Sequence, residues 1–120
     1  MIIPFSVYNM LVPEINSELI LVITTEVDIE HAKILAEKIL KRQLAACISF
    51  QSIQSQYWWR NSLKTSDEIQ LLIKTKRNLL EKLHALVKEI HTYDTPEFIF
   101  LKVSSDISYE NWILDSVIKA

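Results

Sequence analysis

The 120-residue chain contains no glycine. Glycine-rich phosphate loops of the P-loop or dinucleotide-binding kind are therefore excluded, because their backbones must come closer to a ligand than a Cβ permits. Any turn that needs positive φ falls to asparagine, aspartate or another residue at some cost. A single cysteine, Cys47, rules out an internal disulfide framework and fits a reducing compartment such as the cytoplasm. No excess of positive charge is present, since 13 Lys and Arg stand against 15 Asp and Glu, so nucleic acid and acidic lipid are not expected partners. No apolar run approaches the roughly 20 residues that span a bilayer. The opening Met1-Ile2-Ile3-Pro4-Phe5 lacks the basic start and small-residue cleavage site of a signal peptide.

What remains is an ordinary globular composition, 49% hydrophobic and 23% charged, in a length suited to one domain. Residues 1–17 hold Pro4 and Pro13 without a sustained period and read as an N-terminal extension to a domain over 18–120. Leu19 to Thr25 is a β-branched apolar run of strand length. Asp28 is placed to cap a helix whose stripe is Ala32, Leu35, Ala36, Ile39 and Leu40, ending near Gln43. Two strand-like stretches follow, Ala45 to Trp59 and Asp67 to Thr75, with Asn61 as the candidate hairpin turn. Asn78 and Glu81 suggest a capping box ahead of a second helix bearing Leu79, Leu83, Leu86, Val87 and Ile90. Phe98 to Val103 is a fourth strand, and a short helix with Trp112, Ile113 and Val117 closes the chain.

The order β-α-β-β-α-β predicts an α+β fold: a four-stranded antiparallel sheet with two helices on one face, the ferredoxin-like plan. Its strands should alternate, yet Leu19 to Ile23 and Phe98 to Leu101 are continuously apolar. The second sheet face therefore needs cover beyond one short helix. The hairpin points the same way. Ala45 to Trp59 would extend about 50 Å, whereas a 15-residue helix beside it covers only about 22 Å. Tyr57-Trp58-Trp59 would overhang the core, and exposed aromatic patches usually mark an interface. A change of phase between Ile48-x-Phe50 and Ile53, Tyr57, Trp59 predicts a bulge near Gln51-Ser52.

Reactive groups concentrate in His91-Thr92-Tyr93-Asp94-Thr95-Pro96-Glu97, a loop between helix and strand where a simple connection would favour small turn residues. A purely structural reading stands beside the functional one, with Tyr93 closing the core edge. Cys47, His84, His31 and His91 are the soft or borderline metal ligands, and none forms a compact ligand motif. Cys47 beside Ala45 and Ala46 has the setting of a small packed residue. Glu68, Asp94 and Glu97 could serve acid–base work, and Lys74 could be a surface charge or an anion clamp.

Several short pieces then line up in order: Leu44-Ala45-Ala46-Cys47, Ser55-x-Tyr57-x-Trp59, Glu68, Ile73-Lys74-Thr75, His91-x-Tyr93, Pro96-Glu97 and Tyr109-x-x-Trp112. Over residues 19–117 the chain resembles the divalent-cation tolerance (CutA) family. The resemblance implies a ferredoxin-like subunit in a homotrimer, hairpins pairing between subunits, and an aromatic and polar cleft at the interface. Tyr57, Trp59, Glu68, Lys74, His91, Tyr93, Glu97 and Trp112 are the candidates for that cleft. It implies a non-enzymatic role in divalent metal-ion tolerance with copper as the possible ligand and no required cofactor. The cysteine and paired histidines invoked for metal in the family read Thr24 and Ile90-His91 here, which leaves His91, Cys47 or carboxylates. Two other classes are open. One is a trimer resembling nitrogen-regulatory PII proteins, holding a small anion with Lys74, Arg60 and His91. The other is an acylphosphatase-type enzyme, which the missing glycine disfavours.

Overall fold

A computed structural model describes residues 18–119, so the expected extension at 1–17 lies outside the described residues. The elements are β1 (Leu19–Glu26), α1 (Ile29–Lys41), β2 (Cys47–Trp59), β3 (Ser62–Lys76), α2 (Leu80–Ile90), β4 (Ile99–Lys102) and α3 (Ile107–Ser116). The strands form one antiparallel sheet in the order β2-β3-β1-β4. This is the ferredoxin-like arrangement with a terminal helix, as the element order predicts.

One sheet face and the two long helices make the core. Ile20, Val22, Leu71 and Ile73 meet Ala32, Leu35, Ala36 and Ile39 of α1 and Leu83, Leu86 and Val87 of α2. Each large aliphatic side chain buried there contributes about 1.5–3 kcal/mol, and truncating Leu35 to Ala would cost roughly 2–5 kcal/mol. Leu40, read as part of the stripe, sits at its edge and is exposed. Asp28 caps α1 as expected, its carboxylate accepting the His31 N–H at 2.8 Å.

Helix α1 ends in a Schellman motif, with Gln43 N–H bonded to Leu40 C=O at 2.9 Å and Leu44 N–H to Ile39 C=O at 3.1 Å. Gln43 takes the left-handed position that glycine usually fills, at φ 55°. The hairpin turn likewise uses two non-glycine residues, Arg60 (φ 49°) and Asn61 (φ 65°), a two-residue loop of the primed type that suits strand twist.

Three sequence expectations are corrected. Helix α2 has no side-chain cap from Asn78. Instead a 3-10 turn, Arg77–Leu79, leads into it. The Arg77 N–H is held by Glu18 C=O at 2.7 Å and Leu79 is fully buried, so packing sets the helix entry. Strand β3 starts at Ser62 rather than Asp67, because hairpin pairing carries it to the turn. No bulge occurs at Gln51-Ser52. The register runs unbroken from Cys47↔Lys74 through Gln51↔Gln70 to Trp59↔Ser62. The change of phase reflects a change of cover: Ile48 and Phe50 point to the helix side, while Ile53, Tyr57 and Trp59, farther out, point to the opposite face.

That opposite face is only partly covered. Leu21 and Ile23 are half-buried, and Ile99 and Leu101 are exposed. At the hairpin end Trp58 is 72% exposed and Trp59 55% exposed. Helix α3 touches this face through Tyr109 and buries Ile113, while Val117 just past it joins the main core and Ile118 N–H bonds to Gln43 C=O at 3.0 Å. Among the described residues no helix is long and apolar enough to cross a membrane.

Candidate functional site

The loop after α2 is built around His91. Its backbone ends the helix, donating to Val87 C=O at 2.9 Å, and its side chain turns inward with no exposed surface. Nε2 bonds to the Thr25 carbonyl, which can only accept, so Nε2 carries the proton. Nδ1 lies 3.0 Å from the Tyr93 N–H and therefore accepts. The neutral Nε2–H tautomer satisfies both contacts. The 3.7 Å approach of Nδ1 to Glu26 is consequently not an ion pair in this tautomer. Glu26 is buried at the end of β1, and its two oxygens accept the Val27 N–H at 2.8 Å and the Thr92 N–H at 3.2 Å. Thr24 adds a third tie, its hydroxyl donating to Glu97 C=O at 2.5 Å. The expected metal ligand His91 thus holds the loop to β1 with both ring nitrogens engaged.

The groups that face outward lie one step along. Tyr93 donates its hydroxyl to Glu68 at 3.0 Å, crossing from the loop to β3. Burial first, then the Glu68 carboxylate, pushes the Tyr93 hydroxyl far above the ordinary phenol range, so it stays a neutral donor. Burial first, then Glu68, also raises the Glu97 carboxyl above its usual range. Two carboxylates and a phenol therefore share this corner, and Tyr57 stands close by on β2 with its hydroxyl 2.8 Å from that of Ser66. A cleft of about 710 Å³ opens beside it, walled by Val27 and Ile29 at the start of α1 and by Ile53, Asp67 and Glu68 on the hairpin.

The eight cleft candidates do not make one site within a single chain. Glu68, Tyr93 and Glu97 come together with Tyr57 nearby, and His91 supports them from inside. Lys74 is six residues from Glu68 along β3, about 20 Å away, and donates to the Tyr109 hydroxyl at 2.9 Å. Trp112 stacks on Tyr109 with ring centroids 5.6 Å apart. Trp59 is at the hairpin end with the Arg60 guanidinium 5.4 Å from its ring. Cys47 is half-buried opposite Lys74, so it belongs to the second group and cannot reach the loop. His84 packs against Phe98 in a tilted contact, ring centroids 4.6 Å apart, and shares no site with His91. Lys74, Arg60 and His91, the trio considered for an anion, likewise lie apart in one chain. Among the described residues no three His, Cys, Asp or Glu side chains are grouped to hold a metal ion.

Sequence reasoning missed Glu26, Thr24 and Tyr109 as contributors. Glu26 was detectable by parity, since Ile20, Val22, Thr24 and Glu26 all point to the helix side of β1 and a carboxyl there needs donors.

Comparison with known proteins adds an independent line. The profile of the CutA1 divalent ion tolerance proteins matches residues 20–116. A divalent-cation tolerance protein CutA from Pyrococcus horikoshii is 31% identical over 102 residues, covering 84% of this chain and all of that protein. The crystal structure of CutA1 from Oryza sativa superposes with a TM-score of 0.82 at 36% identity, covering 86% of this chain and 96% of that one. The structure of CutA from Synechococcus elongatus gives 0.83 at 30% identity, with 88% and 93% covered.

Proposed function

The chain belongs to the CutA1 divalent ion tolerance family, and from that premise we propose that it acts in divalent-ion tolerance as a non-enzymatic, cytoplasmic homotrimer with copper as the ion. The observation that carries the metal reading is the Glu68–Tyr93–Glu97 corner. Two carboxyl groups share it, and the Glu97 carboxyl is raised first by burial and then by the nearby Glu68 charge, which a divalent cation would offset. Oxygen donors in an incomplete set give weak binding, and partner chains are needed to complete the coordination. His91 positions Tyr93 instead of ligating. The partly covered sheet face and the exposed Tyr57, Trp58 and Trp59 support the trimer, because exposed apolar patches of this kind mark interfaces.

Two measurements test this. Light scattering coupled to size exclusion reads the assembly, with a trimer expected at micromolar concentration; a stable folded monomer overturns it. Copper calorimetry compares wild type with Glu68→Gln and Glu97→Gln. Weak binding that falls in both variants supports the carboxylate corner, and binding unchanged in both removes it.

A further inference from the structure

On the helix side of the subunit a groove of about 370 Å³ runs between the end of α1 and the outer flank of α2. Leu44, Leu86, Ala85 and Ile118 make an apolar floor. The rim is charged. Arg42, just past α1, and Lys82, in the first turn of α2, are its cations, and Glu89 lies seven residues beyond Lys82, about 10 Å farther along the helix. None of these three makes an ion pair among the described residues. The chain enters the domain close to the basic end. Glu18 C=O accepts from Arg77 N–H at 2.7 Å, and Arg77 opens the 3-10 turn that leads into α2. From Arg77 to Lys82 the path rises about 10 Å. Residues 1–17 carry one charged side chain, Glu14, with the apolar Met10-Leu11-Val12 and Ile15 on either side of Pro13 and Glu14. An extended chain from Glu18 spans about 13 Å to Glu14 and about 23 Å to Leu11.

We propose that the segment Met10 to Ile15 docks in this groove of its own subunit, with Leu11 on the apolar floor and Glu14 at the Arg42 and Lys82 rim. Reach and charge agree on this placement. Glu14 arrives at the basic end, which lies nearest the point where the chain emerges, and Leu11 arrives at the floor beyond it. Pro13 favours extended backbone at Val12, and side chains of an extended chain alternate, so Leu11 and Glu14 face opposite ways. One can then meet the floor while the other meets the rim. The reversed placement would bring Glu14 against Glu89, a like-charge contact that disfavours it. A rim ion pair open to solvent adds little by itself, and burial of Leu11 supplies the larger share. The groove lies on the helix side, so it stays open in the proposed trimer and is independent of the metal reading.

The test is amide hydrogen exchange on the full chain. Residues 10–15 should exchange at least about tenfold more slowly than the same sequence as a free peptide. Arg42→Glu combined with Lys82→Glu, both at exposed positions, should lose most of that protection. Glu14→Lys added to this double variant should recover it. If the double variant does not fold, a nitroxide on Asn9→Cys in a Cys47→Ser background decides: it should broaden the amide resonances of Ala85 and Ile118. Exchange of residues 10–15 at the free-peptide rate, protection unchanged in a folded double variant, or broadening confined to other regions overturns the proposal. Broadening that appears in isotope-enriched subunits lacking a nitroxide, when they share trimers with labelled ones, also overturns it by assigning the groove to the segment of a neighbouring copy.

Discussion

The Tyr93 hydroxyl reaches the Glu68 carboxylate at 3.0 Å, joining the loop after α2 to the third strand across 25 positions of sequence. That bond and the His91 contacts beneath it make the loop a fixed wall and not a simple connection. His91 anchors the backbone, Tyr93 spans outward, and Glu97 follows with its own backbone carbonyl held by Thr24. Reactive density in the loop therefore divides into residues that hold and residues that face solvent.

His91→Ala should separate the two roles. Removing the imidazole leaves the buried Thr25 carbonyl without its donor, which costs about 1–3 kcal/mol. The cavity left behind adds to this. Copper affinity, measured in the same variant while it remains folded, should change much less than in Glu97→Gln. A stable His91→Ala protein with abolished copper binding would return His91 to the role of ligand.

Glu97 gives a pH signature with a definite sign. Its carboxyl is raised above the reference value of 4.5 by burial and by Glu68. The folded state then binds the proton more tightly than the unfolded state, so this contribution is fully present below the unfolded pKa. It is lost as pH rises through the folded value. Glu97→Gln should remove that loss, flattening the stability profile just above pH 4.5 and stabilising the chain at neutrality. Thermal melts of both proteins across that window check it, and parallel profiles would show that Glu97 is unperturbed.

Much of the fold was legible because its signals are local. Asp28 before an apolar stripe marks α1, and Asn61 between two strand-like runs marks the hairpin. Continuous apolar runs in Leu19 to Ile23 match a sheet whose second face is partly open in the single chain, with Leu21 and Ile23 half-buried and Ile99 and Leu101 exposed. What was not legible depends on three-dimensional pairing. Nothing about Gln43 announces a left-handed cap, since glutamine is a poor choice there and only the Leu44 and Ile39 contact compels it. The phase change in β2 looked like a bulge because sequence alone does not show where the helices stop. The division of the candidate cleft followed the same limit: Lys74 and Glu68 share a strand and a face, yet six residues of extended chain separate them. His91 was singled out for the right density of chemistry, while its inward turn is set by acceptors on β1 that no spacing rule connects to it.

Gln43 supplies a stability prediction free of the site. A non-glycine residue in the left-handed region costs about 1 kcal/mol relative to glycine. Gln43 makes its cap bonds through the backbone, so Gln43→Gly keeps them. The substitution should stabilise the chain by up to about 1 kcal/mol, reduced by the added freedom of the unfolded state. A chemical-denaturation midpoint reads the change, and a lower midpoint would mean that the Gln43 side chain contributes packing that outweighs its backbone cost.

Trp59 tests the assembly from the hairpin end. In a single chain its ring is more than half exposed, touched by the Arg60 guanidinium at 5.4 Å, so its loss should barely disturb the subunit's own core. In the proposed trimer it lies between subunits, where removing a buried aromatic ring costs roughly 3–5 kcal/mol. Trp59→Ala should therefore keep the wild-type circular dichroism while shifting the trimer toward smaller species on dilution. Light scattering across a concentration series, with melting followed at each point, distinguishes the outcomes. A variant that stays trimeric and melts with the wild type would place Trp59 at the surface and move the search for the subunit contact to Ile99, Phe100 and Leu101 on the exposed edge strand.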